Sequence, residues 1–139
     1  MKIAVRYHSR SGNTKKVAEA VAKAAGADAA DCGTPLAEAV DLLFVGGAVY
    51  GGKVDEALQN FIVNLDPAKV KAAAVFGTSA LAKKPGRGIE KLLKERGIPL
   101  LGPSFRCRGA FWFMNRGRPN GEDLRGAAEF ARAALGGNP

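Results

Sequence analysis

YHSRSGNT, Tyr7 to Thr14, joins two segments of different periodicity. Lys2 to Tyr7 (KIAVRY) reads as a short strand. Asn13 to Ala25 carries Val17, Ala18, Val21, Ala24 and Ala25 at helical intervals, with Lys15, Lys16, Glu19 and Lys23 elsewhere. The order is therefore strand, glycine-containing turn, amphipathic helix. Such a corner leaves backbone N–H groups without intrahelical acceptors, at the positive end of the helix dipole. Ser9, Ser11 and Thr14 add hydroxyls, Asn13 adds an amide, and Gly12 lets the backbone turn close to a guest. These features describe an anion site, and phosphate is the expected anion. The nucleotide fingerprints G-x-x-x-x-G-K-[ST] and G-x-G-x-x-G are both absent from the chain.

The pattern repeats outward from this corner. After a weak segment around Asp28 to Cys32, DLLFVGG (Asp41 to Gly47) is an apolar run stopped by glycines, as expected of a strand covered on both faces. A helix follows from about Val54 to Asn64, with Leu58, Phe61, Ile62 and Leu65 inward. Val70 to Thr78 (VKAAAVFGT) is a further buried strand, and a third helix lies near Gly88 to Arg96. The last strand, interrupted by Pro99 and Pro103, reaches about Cys107, and its prolines place it at a sheet edge. PNGEDL opens the final helix, with Asn120 as cap and Glu122 and Asp123 set against the helix dipole. Gly136 and Gly137 end it. Five apolar strands alternating with helices predict one α/β domain over residues 1–139, a parallel sheet between two helical layers.

Composition narrows the function classes. At 139 residues, 47% hydrophobic and 24% charged, the chain can bury a core without metal or disulfide support, and no apolar run is long enough for a membrane span. The short apolar start, broken by Arg6 and His8, is no signal-peptide core, so a cytoplasmic location is expected. Cys32 and Cys107 lack C-x-x-C spacing and read as buried thiols. With His8 the single histidine, neither a histidine metal cluster nor a Ser-His-Asp triad finds its other members. The net charge of +8 is uneven: residues 1–70 hold eight basic against eight acidic side chains, residues 71–139 thirteen against five. A basic second half suits a nucleic acid, an acidic partner protein, or solubility alone.

The stretch S-x-S-G-N-T between first strand and first helix resembles the phosphate loop of flavodoxins, [TS]-x-[TS]-G-x-T, which holds the 5′-phosphate of flavin mononucleotide (FMN). Two more segments extend the resemblance. GGAVYGG (46–52) and FGTSA (76–80) end the second and third long strands, where flavodoxin loops grip the isoalloxazine ring. FRCRGAF and RPNGEDLRGAAEFA are similar to the C-terminal part of small bacterial members, so the resemblance covers nearly the whole chain. It implies a three-layer flavodoxin-like fold with a five-stranded parallel sheet in the order 2-1-3-4-5, helices on both faces and the ligand at the topological switch point.

The resemblance assigns the cofactor contacts to Ser9, Arg10, Ser11, Gly12, Asn13 and Thr14 in the phosphate loop, to Ala48, Val49, Tyr50 and Gly51, and to Gly77, Thr78, Ser79 and Ala80. Tyr50 is the candidate for stacking on the flavin, against a loop tyrosine packed on the domain. Arg10 either contacts the phosphate or points to water. His8 reads as structural, because one imidazole without a visible partner gives no catalytic geometry. Gly51 and Gly52 either permit the peptide reorientation seen in flavodoxins or form an ordinary turn. The third loop departs from the family: Thr78, Ser79 and Ala80, then Lys83, Lys84 and Arg87, stand where many flavodoxins have an acidic residue and a second aromatic. Phe111, Trp112 and Phe113 read as core or interface residues, with a replacement aromatic as the other possibility.

Three functions compete. The favoured one is an FMN electron carrier, with no residue performing bond chemistry, that docks as a monomer or weak dimer on a redox partner with an acidic surface. Its positive charge implies a less strongly reducing flavin than in acidic flavodoxins. The second is a small FMN-dependent NAD(P)H or quinone-type reductase, for which the chain has no evident insertion to seat a nicotinamide. The third is a basic domain that has lost the flavin. Nucleic acid is not expected, because the basic residues lack interleaved aromatics.

Overall fold

A computed structural model describes residues 1–50, 53–79, 87–109 and 117–136. The chain runs β1 (Ile3–His8), α1 (Asn13–Ala25), β2 (Ala29–Asp31), β3 (Leu42–Tyr50), β4 (Lys53–Val54), α2 (Glu56–Val63), a 3-10 turn (Pro67–Lys69), β5 (Ala73–Ser79), α3 (Arg87–Glu95), β6 (Phe105–Arg108) and α4 (Gly121–Gly136). The long strands are parallel in the order β2-β1-β3-β5-β6, which is the expected 2-1-3-4-5 arrangement. Two-residue β4, not anticipated from the sequence, pairs antiparallel with the end of β3.

Alternation along β3 explains why the sheet needs helices on both faces. Leu42 and Phe44 enter a core with Val17, Ala18 and Val21 of α1 and Ala127 and Ala131 of α4. Leu43 and Val45 enter the other core, with Leu58 and Ile62 of α2 and Ile89 and Leu93 of α3. Successive strand side chains point to opposite faces, so a strand apolar at every position is buried on both. Of the residues expected to point inward here, Leu58 and Ile62 of α2 and Leu65 just beyond it are buried, and Phe61 packs half-buried beside them.

Several boundaries differ from expectation. β3 does not stop at Gly47 but continues to Tyr50, because the glycines there serve contact rather than termination. A Cβ on Gly46 would lie 2.0–2.4 Å from the Phe76 ring, and one on Gly47 would lie 2.5 Å from Leu58. The stretch with Pro99 and Pro103 is not strand. Leu100 makes one bridge to Ala73, and β6 begins only at Phe105, at the sheet edge as its prolines suggested. The Ala110 to Asn115 aromatics and Gly137 lie outside the described residues.

The start of α4 is closed reciprocally: Asp123 N–H donates to Asn120 Oδ1 (2.9 Å), and Asn120 N–H donates to Asp123 Oδ2 (2.8 Å). Arg118 grips the same carboxylate with two N–H groups, at 2.5 and 2.7 Å. This fork outweighs burial and holds the Asp123 carboxyl below its ordinary range. Among the described residues, no helix is long and apolar enough to cross a membrane.

Gly46→Ala is expected to destabilise the chain by about 1–3 kcal/mol, measured by urea unfolding, because its methyl must displace the Phe76 ring. The depressed Asp123 carboxyl stabilises the fold above the unfolded carboxyl's ordinary value near 4 and loses that contribution as pH falls through its folded value. Asp123→Asn should therefore be less stable at neutral pH and show a shallower loss of stability below about pH 4 in acid titrations followed by circular dichroism.

Candidate functional site

Three chain segments meet at the carboxyl ends of β1, β3 and β5. Residues 9–12 connect β1 to α1, and Gly12, at φ +91°, occupies the left-handed region at the N-cap. No side chain caps α1, and its first turn contains no acidic residue. A 13-residue helix thus presents its positive end without an internal anion, as the sequence pattern anticipated. The loop is held from within by Ser9, whose Oγ accepts the Gly12 N–H at 3.0 Å.

Two further contacts fix the loop to its neighbours. Thr14 Oγ1 and Thr78 Oγ1 hydrogen-bond at 2.8 Å, with the residues 1% and 2% exposed, so the start of α1 is tied directly to the end of β5. Gly109, just beyond β6, lies so close that a Cβ there would be 3.1 Å from Asn13 Nδ2 and 3.3 Å from Thr78 Cβ. Gly109 was not anticipated as a site neighbour, since nothing in its local sequence marks a contact made across the sheet.

Arg10 has an acidic partner that the sequence did not point to. Its Nε donates to Asp55 Oδ2 at 2.7 Å, and its Nη2 lies 2.7 Å from the same oxygen. Asp55 is also the N-cap of α2, accepting the Ala57 N–H at 3.2 Å, and His8 Nε2 stands 3.3 Å from its Oδ1. Burial alone would raise the Asp55 carboxyl. The Ala57 N–H, Arg10 and His8 outweigh that and hold it below the usual range. His8 therefore has carboxylate partners that the sequence did not show. Asp55 could have been found as a cap before EALQNF, although its contacts to His8 and Arg10 arise only from the fold.

At the ends of β3 and β5, Ala48, Val49 and Tyr50 belong to the strand rather than to a loop, with Ala48 paired to Thr78 and Val49 to Ser79. Val49 and Tyr50 also pair with Val54 and Lys53 of β4. Gly77 faces Gly47 so closely that a Cβ would lie 2.7 Å from the Gly47 carbonyl oxygen. Gly51, Gly52, Ala80, Lys83 and Lys84 lie outside the described residues, and Val49, Tyr50 and Ser79 are described by their backbone alone. The structure thus gathers Ser9 to Thr14, Ala48 to Tyr50 and Gly77 to Ser79 at one end of the sheet, beside the switch point between β1 and β3.

Known proteins share this fold. A flavodoxin from the domain Archaea superposes with a TM-score of 0.77, at 21% identity over 94% of each chain. Oxidised Flavodoxin 2 from Bacillus cereus gives a TM-score of 0.72, at 22% identity over 97% of this chain and 98% of that one. In sequence, an uncharacterized protein of Methanocaldococcus jannaschii is 29% identical over 150 residues, covering 97% of this chain and 99% of the relative. The Flavodoxin domain family matches residues 4–105, well over half of the chain, and the protein therefore belongs to the flavodoxin family.

Proposed function

We propose that the chain, read as one domain over residues 1–139, binds FMN non-covalently and carries electrons between redox partners. The observation that carries the reading is the uncapped N-terminus of α1 behind Gly12, an anion cradle with an exposed serine, Ser11, and no acidic side chain in its first helical turn. The donor set fits a phosphate monoester. Amides of Arg10 and Asn13 and hydroxyls of Ser9, Ser11 and Thr14 would hold the phosphate, with the Gly12 N–H turning from Ser9 Oγ to the ligand and the Asn13 side-chain amide beside them. A Cβ at Gly12 would meet nothing within 4 Å, so the loop is open on that side. Ala48, Val49, Tyr50 and Gly51, with Gly77, Thr78, Ser79 and Ala80, would border the ring, and Tyr50 would cover one face of it.

When bound, the flavin supplies the redox chemistry. The protein's residues bind and orient. The Thr14–Thr78 hydrogen bond ties the phosphate-binding end of the site to the ring-binding end, fixing their separation before the ligand arrives. Arg10, engaged by Asp55, braces the loop, and amides, hydroxyls and the helix dipole supply attraction for the phosphate. The basic second half of the sequence favours a partner with an acidic docking face and a less strongly reducing flavin.

Purified protein should be yellow or become so with FMN. Protein that stays colourless in excess FMN contradicts the proposal. In fluorescence titrations, Ser11→Ala should weaken FMN by about tenfold or more, in line with the roughly 1.5–3 kcal/mol of a hydrogen bond to a charged group, and leave riboflavin nearly unchanged.

The two threonines separate support from binding. Thr78→Val strands the buried Thr14 hydroxyl and should cost about 1–3 kcal/mol in urea unfolding, whereas the double variant Thr14→Val with Thr78→Val should recover most of that stability without recovering FMN affinity. Electron exchange with an acidic partner should slow as salt rises, and salt-independent rates count against the docking surface.

A further inference from the structure

A second group of side chains converges behind the phosphate loop. β2 ends at Asp31, and a tight turn follows in which the Asp31 carbonyl accepts the Thr34 N–H (2.9 Å) and Asp31 Oδ1 accepts the Gly33 N–H (2.8 Å). Consecutive side chains of a continuing strand would point to opposite faces. Here the turn brings both Asp31 and Cys32 toward His8, the last residue of neighbouring β1. One ligand atom from each of His8, Asp31 and Cys32 lies within 4.8 Å of the others.

The contacts leave this trio ready to ligate. His8 Nδ1 is 4.0 Å from Asp31 Oδ2, too far for a hydrogen bond. Tetrahedral zinc, with nitrogen, oxygen and sulfur ligands at about 2.0–2.3 Å, needs those atoms roughly 3.3–3.8 Å apart, so the trio must contract by up to about 1.5 Å. Asp31, its side chain 55% exposed, is free to make that movement. His8 Nε2 faces Asp55 Oδ1 at 3.3 Å, which directs the Nδ1 side of the ring toward Asp31. A carboxylate behind a ligating imidazole orients the ring and raises its basicity.

The trio also opens on space. His8, Asp31 and Cys32 line a cleft of about 580 Å³ that continues past Leu36, Asn60 and Phe61, on the α2 side of the sheet. There is room for a water molecule on the open side of a bound ion. The donors, one imidazole, one thiol and one carboxylate, suit zinc and not calcium or magnesium, which take oxygen ligands.

We propose that His8, Asp31 and Cys32 form a site for one zinc-class divalent cation, its fourth position open to the cleft, with Asp55 as the positioning residue. Cys32 ligates as the thiolate, its proton passing to solvent. None of its three ligands belongs to the proposed phosphate loop, to which the site is joined only through Asp55 and Arg10 and by the chain at His8.

The test is a titration of the full chain with Co²⁺, a spectroscopic substitute for zinc, followed by absorbance. Saturation is expected at one equivalent, with a thiolate-to-cobalt charge-transfer band that one equivalent of Zn²⁺ abolishes. Cys32→Ser should remove the band and Cys107→Ser should keep it. Asp55→Asn, which can still cap α2, should keep the band and weaken binding by about tenfold to hundredfold. Bound Zn²⁺ should also slow alkylation of Cys32 in the unaltered protein. Absence of a saturable band in the unaltered protein overturns the proposal, as does a band that survives Cys32→Ser.

Discussion

Only residues 9–12 separate the end of β1 at His8 from the start of α1 at Asn13, and the chain must turn from strand to helix within them. It does so by placing Gly12 at φ +91°, a conformation that costs an ordinary L-residue roughly 1–2 kcal/mol. The requirement is conformational rather than steric, since the space around a Cβ there is open. The same turn exposes the helix N-terminus at the end of the sheet where β3 and β5 also finish. Had the chain capped α1 with an aspartate, the site would have satisfied itself and had no use for an external anion. The hydroxyl pair of Thr14 and Thr78 then converts one loop into part of a rigid assembly spanning three strands.

Much of this was legible from the sequence, for identifiable reasons. Leu42 to Val45 are apolar without alternation, and that pattern has one comfortable solution, a strand covered on both faces by helices. The spacing of Val17, Ala18 and Val21 placed α1, and Asn120 marked the start of α4. What escaped the reading was glycine used for contact. Gly46 and Gly47 look like terminators, yet the strand passes through them because Phe76 and Leu58 occupy the space their side chains would fill. That fact depends on partners some ten and thirty residues away and has no local signature. The brief return strand β4 was hidden for a related reason, since two residues are too few to show any period.

At the site, the glycine turn into α1 was readable because backbone turning is written into residue types. The role of Arg10 was not. A basic residue beside a phosphate loop invites assignment as a clamp, but Asp55 lies within reach only after α2 is placed, and it takes the guanidinium. Asp55 thereby joins three tasks: it caps α2, braces the phosphate loop through Arg10, and faces His8. The donors around this hub hold the Asp55 carboxyl below its usual range against its own burial.

On the proposed reading the cradle would hold a phosphate through amides, hydroxyls and the helix dipole, an arrangement that would favour the fully ionised form of the group. The most direct measurement is the ³¹P resonance of FMN added to the protein, followed from about pH 5 to 8, across the second phosphate ionisation near 6. A bound signal that stays constant over that range shows a dianion fixed in the cradle, as the structure leads us to expect. A signal that titrates like free FMN would contradict it.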